Sequence, residues 1–226
     1  MALSLKTKNE IFHLLIDTIK NKLKNYQPES IHMPFHHRLL GKDRYTLFSF
    51  IQSINTTFGV SIWEQVAVIL AKGSGYYAER QYQLLGEIDA KTENLINKIH
   101  YKLRKGELIA NKYREIQQIK QTIKKGNLKK DPDSIVDLYV KINEQENFFD
   151  ITSAKPNIKE FVSLKMKLLR WTLKGLFDIK KEILIGEEFW NFIAGDNIYN
   201  ELLDIFQKAG EELREEIDKT FESFRS

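Results

Sequence analysis

Apolar residues recur at helical spacing over residues 3–26, at Ile11, Leu14, Leu15, Ile19 and Leu23, with Lys20, Lys22 and Lys24 on and around the polar side. Gln27-Pro28-Glu29-Ser30 breaks this helix, and Pro34 prevents an early restart. Residues 31–41, IHMPFHHRLLG, read as a short irregular stretch dense in His and Arg. A second helix is expected over about 42–57, buried through Leu47, Phe48, Phe50, Ile51 and Ile54 and ended by Gly59. A third, over 61–72, is short and apolar, and Gly73-Ser74-Gly75 closes it. Residues 76–126 read as mostly helical and polar, with Leu84, Leu85, Ile88, Leu95, Ile96, Ile99, Leu103, Ile116, Ile119 and Ile123 as buried positions. Lysines and arginines crowd this arm, from Lys98 to Lys130. They suit phosphate contacts, or form a solvated helix face.

The period then changes. Ile135 to Ile142 alternates in strand fashion, residues 143–147 form a polar turn, and Phe148 to Ser153 is a second strand. A helix follows over about 158–172, residues 182–186 (EILIG) offer a short strand, and the remainder is helical around Phe189, Trp190, Leu202, Ile205, Leu213 and Ile217. Trp63, Trp171 and Trp190 read as core residues, and Glu211, Glu212, Glu215 and Glu216 as a solvated helix face or a dimer contact. The expected fold class is α/β (α+β): a small mixed sheet around the 135–153 hairpin, flanked by many helices. The expected organisation is one domain over 1–226, with a helical part at 1–130, the hairpin and its helix at 131–175, and a helical part at 187–226.

Bulk properties narrow the function. With 42% hydrophobic and 12% aromatic residues the chain can bury an ordinary core. No apolar run reaches the length of a membrane span, and Lys6, Lys8, Asn9 and Glu10 interrupt any signal-peptide core. The chain has no cysteine, which excludes disulfides and thiolate metal sites and fits a cytoplasmic setting. A net charge of +4 and a pI near 9.0 lean mildly toward nucleic acid.

The hairpin carries the chemistry. Asp137 lies between Val136 and Leu138, and Asp150 follows Phe148-Phe149. An acid in an apolar strand is costly without a partner or a metal. With residues 143–146 as the loop, Asp137 faces Thr152 and Asp150 is its diagonal neighbour, with Cβ atoms roughly 5–8 Å apart. That span lets two carboxylates share a hard divalent cation such as Mg²⁺. A slip of one residue would place them on opposite faces.

Asp137 followed by Phe149-Asp150-Ile151-Thr152-Ser153-Ala154-Lys155-Pro156-Asn157 resembles the active-site hairpin of PD-(D/E)xK nucleases. Longer segments are similar to the MjaII/TdeIII-like family of type II restriction endonucleases: IHMPFHHRLLGKDR (31–44), FSFIQSINTTFGVSIWEQVAVILA (48–71), FFDITSAKPN (148–157), RWTLKGLFDI (170–179) and EILIGEEFWNFIAG (182–195). The resemblance runs through most of the chain. It implies double-stranded DNA as substrate, Mg²⁺ as cofactor, a cut at a short site of GGNCC type, a homodimer, and a cognate DNA methyltransferase as functional partner. Asp137 and Asp150 would bind the metal.

Two departures accompany it. The usual motif places Lys two residues after the second acid, where this chain has Thr152; Lys155 is the nearest lysine and is favoured for the catalytic role, reaching the site if the strand bulges near Ser153-Ala154. The usual core also adds a strand after the motif helix. Here only helix-like sequence runs through Leu168, Leu169, Arg170, Trp171 and Leu173, as if a segment near Arg170-Trp171-Thr172 had been removed.

Glu64, on the apolar third helix, is a candidate third metal ligand or a solvent-facing acid. His32, His36 and His37 suggest zinc, but adjacent histidines do not easily face one metal. With Arg38, Lys42 and Arg44, His36 and His37 read instead as a DNA-contacting loop, since Arg reads guanine through two bonds, or as ordinary loop residues. Two rival readings stay open: a catalytically impaired DNA-binding relative lacking a core strand, and a helical interaction protein without nuclease activity.

Overall fold

Ser4 starts the first helix by accepting a bond from the Thr7 backbone N–H at 3.1 Å. That helix, α1 (Leu5–Asn25), buries Ile11, Leu15, Ile19 and Leu23 along one stripe. The structure is a computed structural model and describes residues 2–27, 33–84, 87–122, 128–130, 134–152, 158–172 and 184–225. Its chain divides into two compact units built from alternating segments. The architecture is helix-rich α+β, with a small antiparallel sheet.

The first unit comprises residues 1–78, 140–145 and 186–226. Its described helices are α1, α2 (Pro34–Leu40), α3 (Lys42–Thr57), α4 (Trp63–Gly73), α8 (Glu187–Ala194) and α9 (Tyr199–Arg225). The long helices α1 and α9 pack together, and α4 lies against α1 and α8. Lys8 pairs with Glu201 at 2.6 Å, and Ser74 donates to the Ala194 carbonyl at 2.7 Å. Trp63 and Trp190 are half-buried in an aromatic group with Phe58 and Phe206.

Three details here differ from expectation. Pro34–Leu40 is helical, because a proline at the first helical position costs no hydrogen bond. Gly59 does not end α3: a π-helical turn, Phe58–Ile62, carries the chain into α4. Leu47, Phe48 and Ile51 are exposed, because α3 turns Tyr45, Thr46 and Phe50 inward. Phe50 meets Tyr26 and Phe221 edge-on at 5.1 Å, so tertiary partners chose the buried face.

The second unit comprises residues 79–139 and 146–185. Its sheet has the order β1 (Tyr77–Gln83), β4 (Ile135–Ile142), β5 (Gln145–Phe149). A separate ribbon pairs β2 (Glu87–Asp89) with β3 (Leu128–Lys130), Ile88 opposite Lys129. The stretch expected to be helical over 76–126 therefore holds two strands before α5 (Ala90–Arg104) and α6 (Lys112–Thr122). Helical periodicity missed β1 because its inward positions are Ala78, Arg80 and Tyr82, too polar to mark a strand by themselves. Pairing with β4 supplies what local sequence does not: the Leu84 N–H donates to the Ser134 carbonyl at 2.9 Å.

Helix α7 (Ile158–Thr172) presents two faces. Leu169 and Met166 join Ile96, Ile99 and Ile119 of α5 and α6. Trp171 and Leu168 join Leu84, Val136, Tyr139, Tyr82 and Phe148 of the sheet. Among the described residues no strand follows α7. The expected strand at 182–186 falls partly outside them, and Leu184 and Ile185 have no regular structure.

Candidate active site

Asn143 and Glu144, at φ +47° and +64°, form a two-residue hairpin turn rather than the four-residue loop expected. Asparagine tolerates this left-handed backbone, and Lys141 reaches Glu144 at 2.5 Å. The shorter turn sets Ile142 against Gln145 and moves the register by two residues, so both acids keep their common face. Asp150, just beyond the end of β5, is set directly opposite Asp137 rather than diagonal to it. The Tyr139 and Phe148 rings, 5.2 Å apart, occupy an opposed pair of the same register. Tyr139 also donates its hydroxyl to Glu146 at 2.8 Å.

The second strand stops at Phe149 because Asp137 captures the chain beyond it: Asp137 Oδ2 accepts the Ile151 backbone N–H at 2.8 Å. This bond fixes the carboxylate and leaves Oδ1 facing Lys167 Nζ at 3.5 Å. The same ammonium donates to Asp150 Oδ1 in a charge-assisted bond. Two carboxylates, one on β4 and one just past the end of β5, thus converge on one cation.

Lys167 was not singled out from the sequence. It projects from α7 on the side of Trp171, with its ammonium 5.8 Å from the centre of that ring. A lysine three residues after Leu164 and four before Trp171, inside an apolar stripe, is the sequence signal that marks it. The helix is pinned on both sides of it. Lys165 pairs with the buried Glu115 at 2.7 Å, and Arg170 pairs with Glu93 at 3.2 Å. Glu115 is itself fixed, since it accepts the Asn111 N–H at 3.0 Å.

Burial and the neighbouring Asp137 charge outweigh Lys167 at Asp150 and push its carboxyl up to about 6. The site combines two oxygen-donor acids, a cation and a limited opening: the side chains of Asp150, Asp137 and Lys167 are 13%, 21% and 28% exposed. Two such carboxylates fit a hard divalent ion that keeps several waters. Among the described residues no third acid or histidine completes a metal-holding group.

The other candidates stand elsewhere in the chain. Lys155 lies outside the described residues, as does His32. Glu64 belongs to the first unit and is buried on α4 rather than solvent-facing. His36 stacks on Phe48 at 6.5 Å and His37 meets Tyr45 edge-on at 5.5 Å, so both rings are engaged with aromatic neighbours. Arg38, Lys42 and Arg44 are exposed on α2 and α3. Among the described residues no helix is long and apolar enough to cross a membrane.

Comparison with known proteins identifies the setting of this hairpin. The family described as type II restriction endonuclease, HinfI, matches residues 3–174 and 169–210. The type II restriction enzymes HgiCII and HgiEI of Herpetosiphon aurantiacus are 26% and 25% identical to the chain. The HgiCII alignment covers 82% of this chain and 80% of the relative; the HgiEI alignment covers 93% and 95%. The type II restriction enzyme MjaII of Methanocaldococcus jannaschii is 23% identical, covering 94% of this chain and 74% of the relative. No solved structure matches the chain. The chain belongs to the HinfI family of type II restriction endonucleases, which are site-specific deoxyribonucleases.

Proposed function

We propose that the protein hydrolyses phosphodiester bonds of double-stranded DNA at a short specific site, with Asp137 and Asp150 holding Mg²⁺ and Lys167 as the catalytic lysine. The observation that carries this reading is the meeting of both carboxylates at Lys167 Nζ. Mg²⁺ bound there supplies a Lewis acid for a phosphate oxygen and acidifies an attacking water. Asp137 is oriented for its task by the Ile151 N–H. Lys167 can donate to a phosphate oxygen and offset the negative charge that develops in the transition state. The motif position held by Thr152 has no ammonium, and α7 supplies one through Lys167. Lys155 remains the rival for this role, and Lys155→Ala beside Lys167→Ala separates the two.

Arg38, Lys42 and Arg44, with His36 and His37, are proposed to contact the duplex. The working assembly is a homodimer acting on a symmetric site, of GGNCC type as the resemblance implies, in the cytoplasm beside a cognate DNA methyltransferase. Plasmid incubated with Mg²⁺ tests the reading. Discrete fragments that vanish in Asp137→Ala, with folding retained by circular dichroism, are expected; undiminished cleavage by that variant overturns the site assignment.

One observation favours a second reading, a DNA-binding relative with impaired catalysis. The two family matches overlap at 169–174, and the HgiEI alignment runs over 265 positions while taking in 93% of this 226-residue chain. A break in the family pattern thus falls at the end of α7, where the sequence suggests a lost segment. A gel shift with specific DNA but no nicking in Mg²⁺ would select this reading.

A further inference from the structure

We propose that Lys167 is the resident counter-ion of the carboxylate pair, and that a divalent cation loads the site by displacing its ammonium. This inference rests on the reading that Asp137 and Asp150 hold the metal.

Two carboxylates set opposite each other across the end of the hairpin repel, and their partial burial limits the water that would screen them. The ammonium of Lys167 reaches Asp137 Oδ1 at 3.5 Å and bonds Asp150 Oδ1, and so occupies the side on which both acids offer oxygens. A cation of twice the charge needs those same oxygens. Ammonium and metal therefore compete for them.

The competition is resolved by the side chain alone. The α7 backbone is held by the Lys165–Glu115 and Arg170–Glu93 pairs and by Leu169 and Trp171 in two cores. The four-carbon stem of Lys167 is flexible and can swing its charge away while the helix stays. Removing the ammonium from half-buried acids costs free energy that must come from the incoming ion. Metal therefore binds weakly to the free protein. A DNA phosphate gives the displaced ammonium a new partner, so phosphate and metal load together.

Calorimetric titration with Ca²⁺ at pH 8, without DNA, tests this directly. Lys167→Met, which keeps an unbranched apolar stem and removes the charge, is expected to bind Ca²⁺ about tenfold more tightly than the wild type. Lys167→Arg is expected to bind as weakly as the wild type. A folded Lys167→Met variant with unchanged or weaker affinity overturns the inference. Asp137→Asn separates the two levels. If it loses Ca²⁺ binding while Lys167→Met gains nothing, the counter-ion idea alone fails. If it binds Ca²⁺ like the wild type, the metal-site reading fails and takes this inference with it. A second measurement avoids altering Lys167. Ca²⁺ should change the tryptophan emission of the wild type, because the ammonium leaves the Trp171 ring, and Trp171→Phe should lose that change. Equal changes in both proteins would also overturn the inference.

Discussion

The ammonium of Lys167 lies 5.8 Å from the centre of the Trp171 ring, one helical turn further along α7. One residue of this pair meets the two acids, and the other fills the core beneath the sheet beside Leu84, Val136 and Tyr139. Site and core therefore share a single stretch of helix, and changes in either reach the other.

Trp171 is 4% exposed, and its truncation leaves a large void. Trp171→Ala is expected to destabilise the fold by about 3–5 kcal/mol in urea unfolding, and Trp171→Phe by much less. Cleavage by the alanine variant should fall further than its folded fraction, because the Lys167 stem loses its support. Cleavage that tracks the folded fraction would contradict the shared role.

Glu115 anchors α7 from below. Its side chain is 7% exposed and pairs with Lys165, which is 25% exposed. Lys165→Ala leaves a buried carboxylate without its cation and is expected to cost about 3 kcal/mol. The paired change Lys165→Met with Glu115→Leu should recover most of that loss. A double-mutant cycle in urea checks the coupling, and a coupling near zero would show that the pair does not hold the helix.

Asp150 sets a pH dependence. Its carboxyl stands at about 6, above the ordinary 3.8, mainly through burial. Between those values the folded protein keeps a proton that the unfolded chain has released. The corresponding stability is full below 3.8 and is lost as pH rises through about 6. Asp150→Asn should flatten this part of the stability profile, measured by urea unfolding across acid pH. Metal binding needs the ionised acid, so the Mg²⁺ concentration that half-saturates cleavage should rise as pH falls through about 6.

The hairpin turn strains Glu144 at φ +64°. Glu144→Gly removes that strain and is expected to stabilise the protein by about 0.5–1 kcal/mol, since the lost Lys141 contact is exposed on the glutamate side. Cleavage should be unchanged, because the register is kept. Insertion of one glycine between Asn143 and Glu144 should instead abolish cleavage by turning Asp150 to the other face. A thermal melt and a plasmid assay on both variants read these outcomes.

Local chemistry made much of this protein legible in its sequence. Apolar spacing marked α1, α4, α7 and the C-terminal helices, because a helix buries one stripe whatever it packs against. Alternation around Asp137, and an acid after Phe148-Phe149, marked the hairpin and its carboxylates. The nuclease family was readable because its motifs are long contiguous strings. Only the tertiary structure decided the rest. The face that α3 buries depends on Tyr26 and Phe221, which lie far from it in sequence. β1 is a strand because β4 pairs with it, not because its residues favour one. Lys167 meets Asp137 and Asp150 because α7 folds back over the sheet, and that contact spans 30 and 17 residues of chain. Spacing along a sequence predicts which residues share one element. It cannot say which charges two elements will bring together, because that depends on the packing of every residue between them.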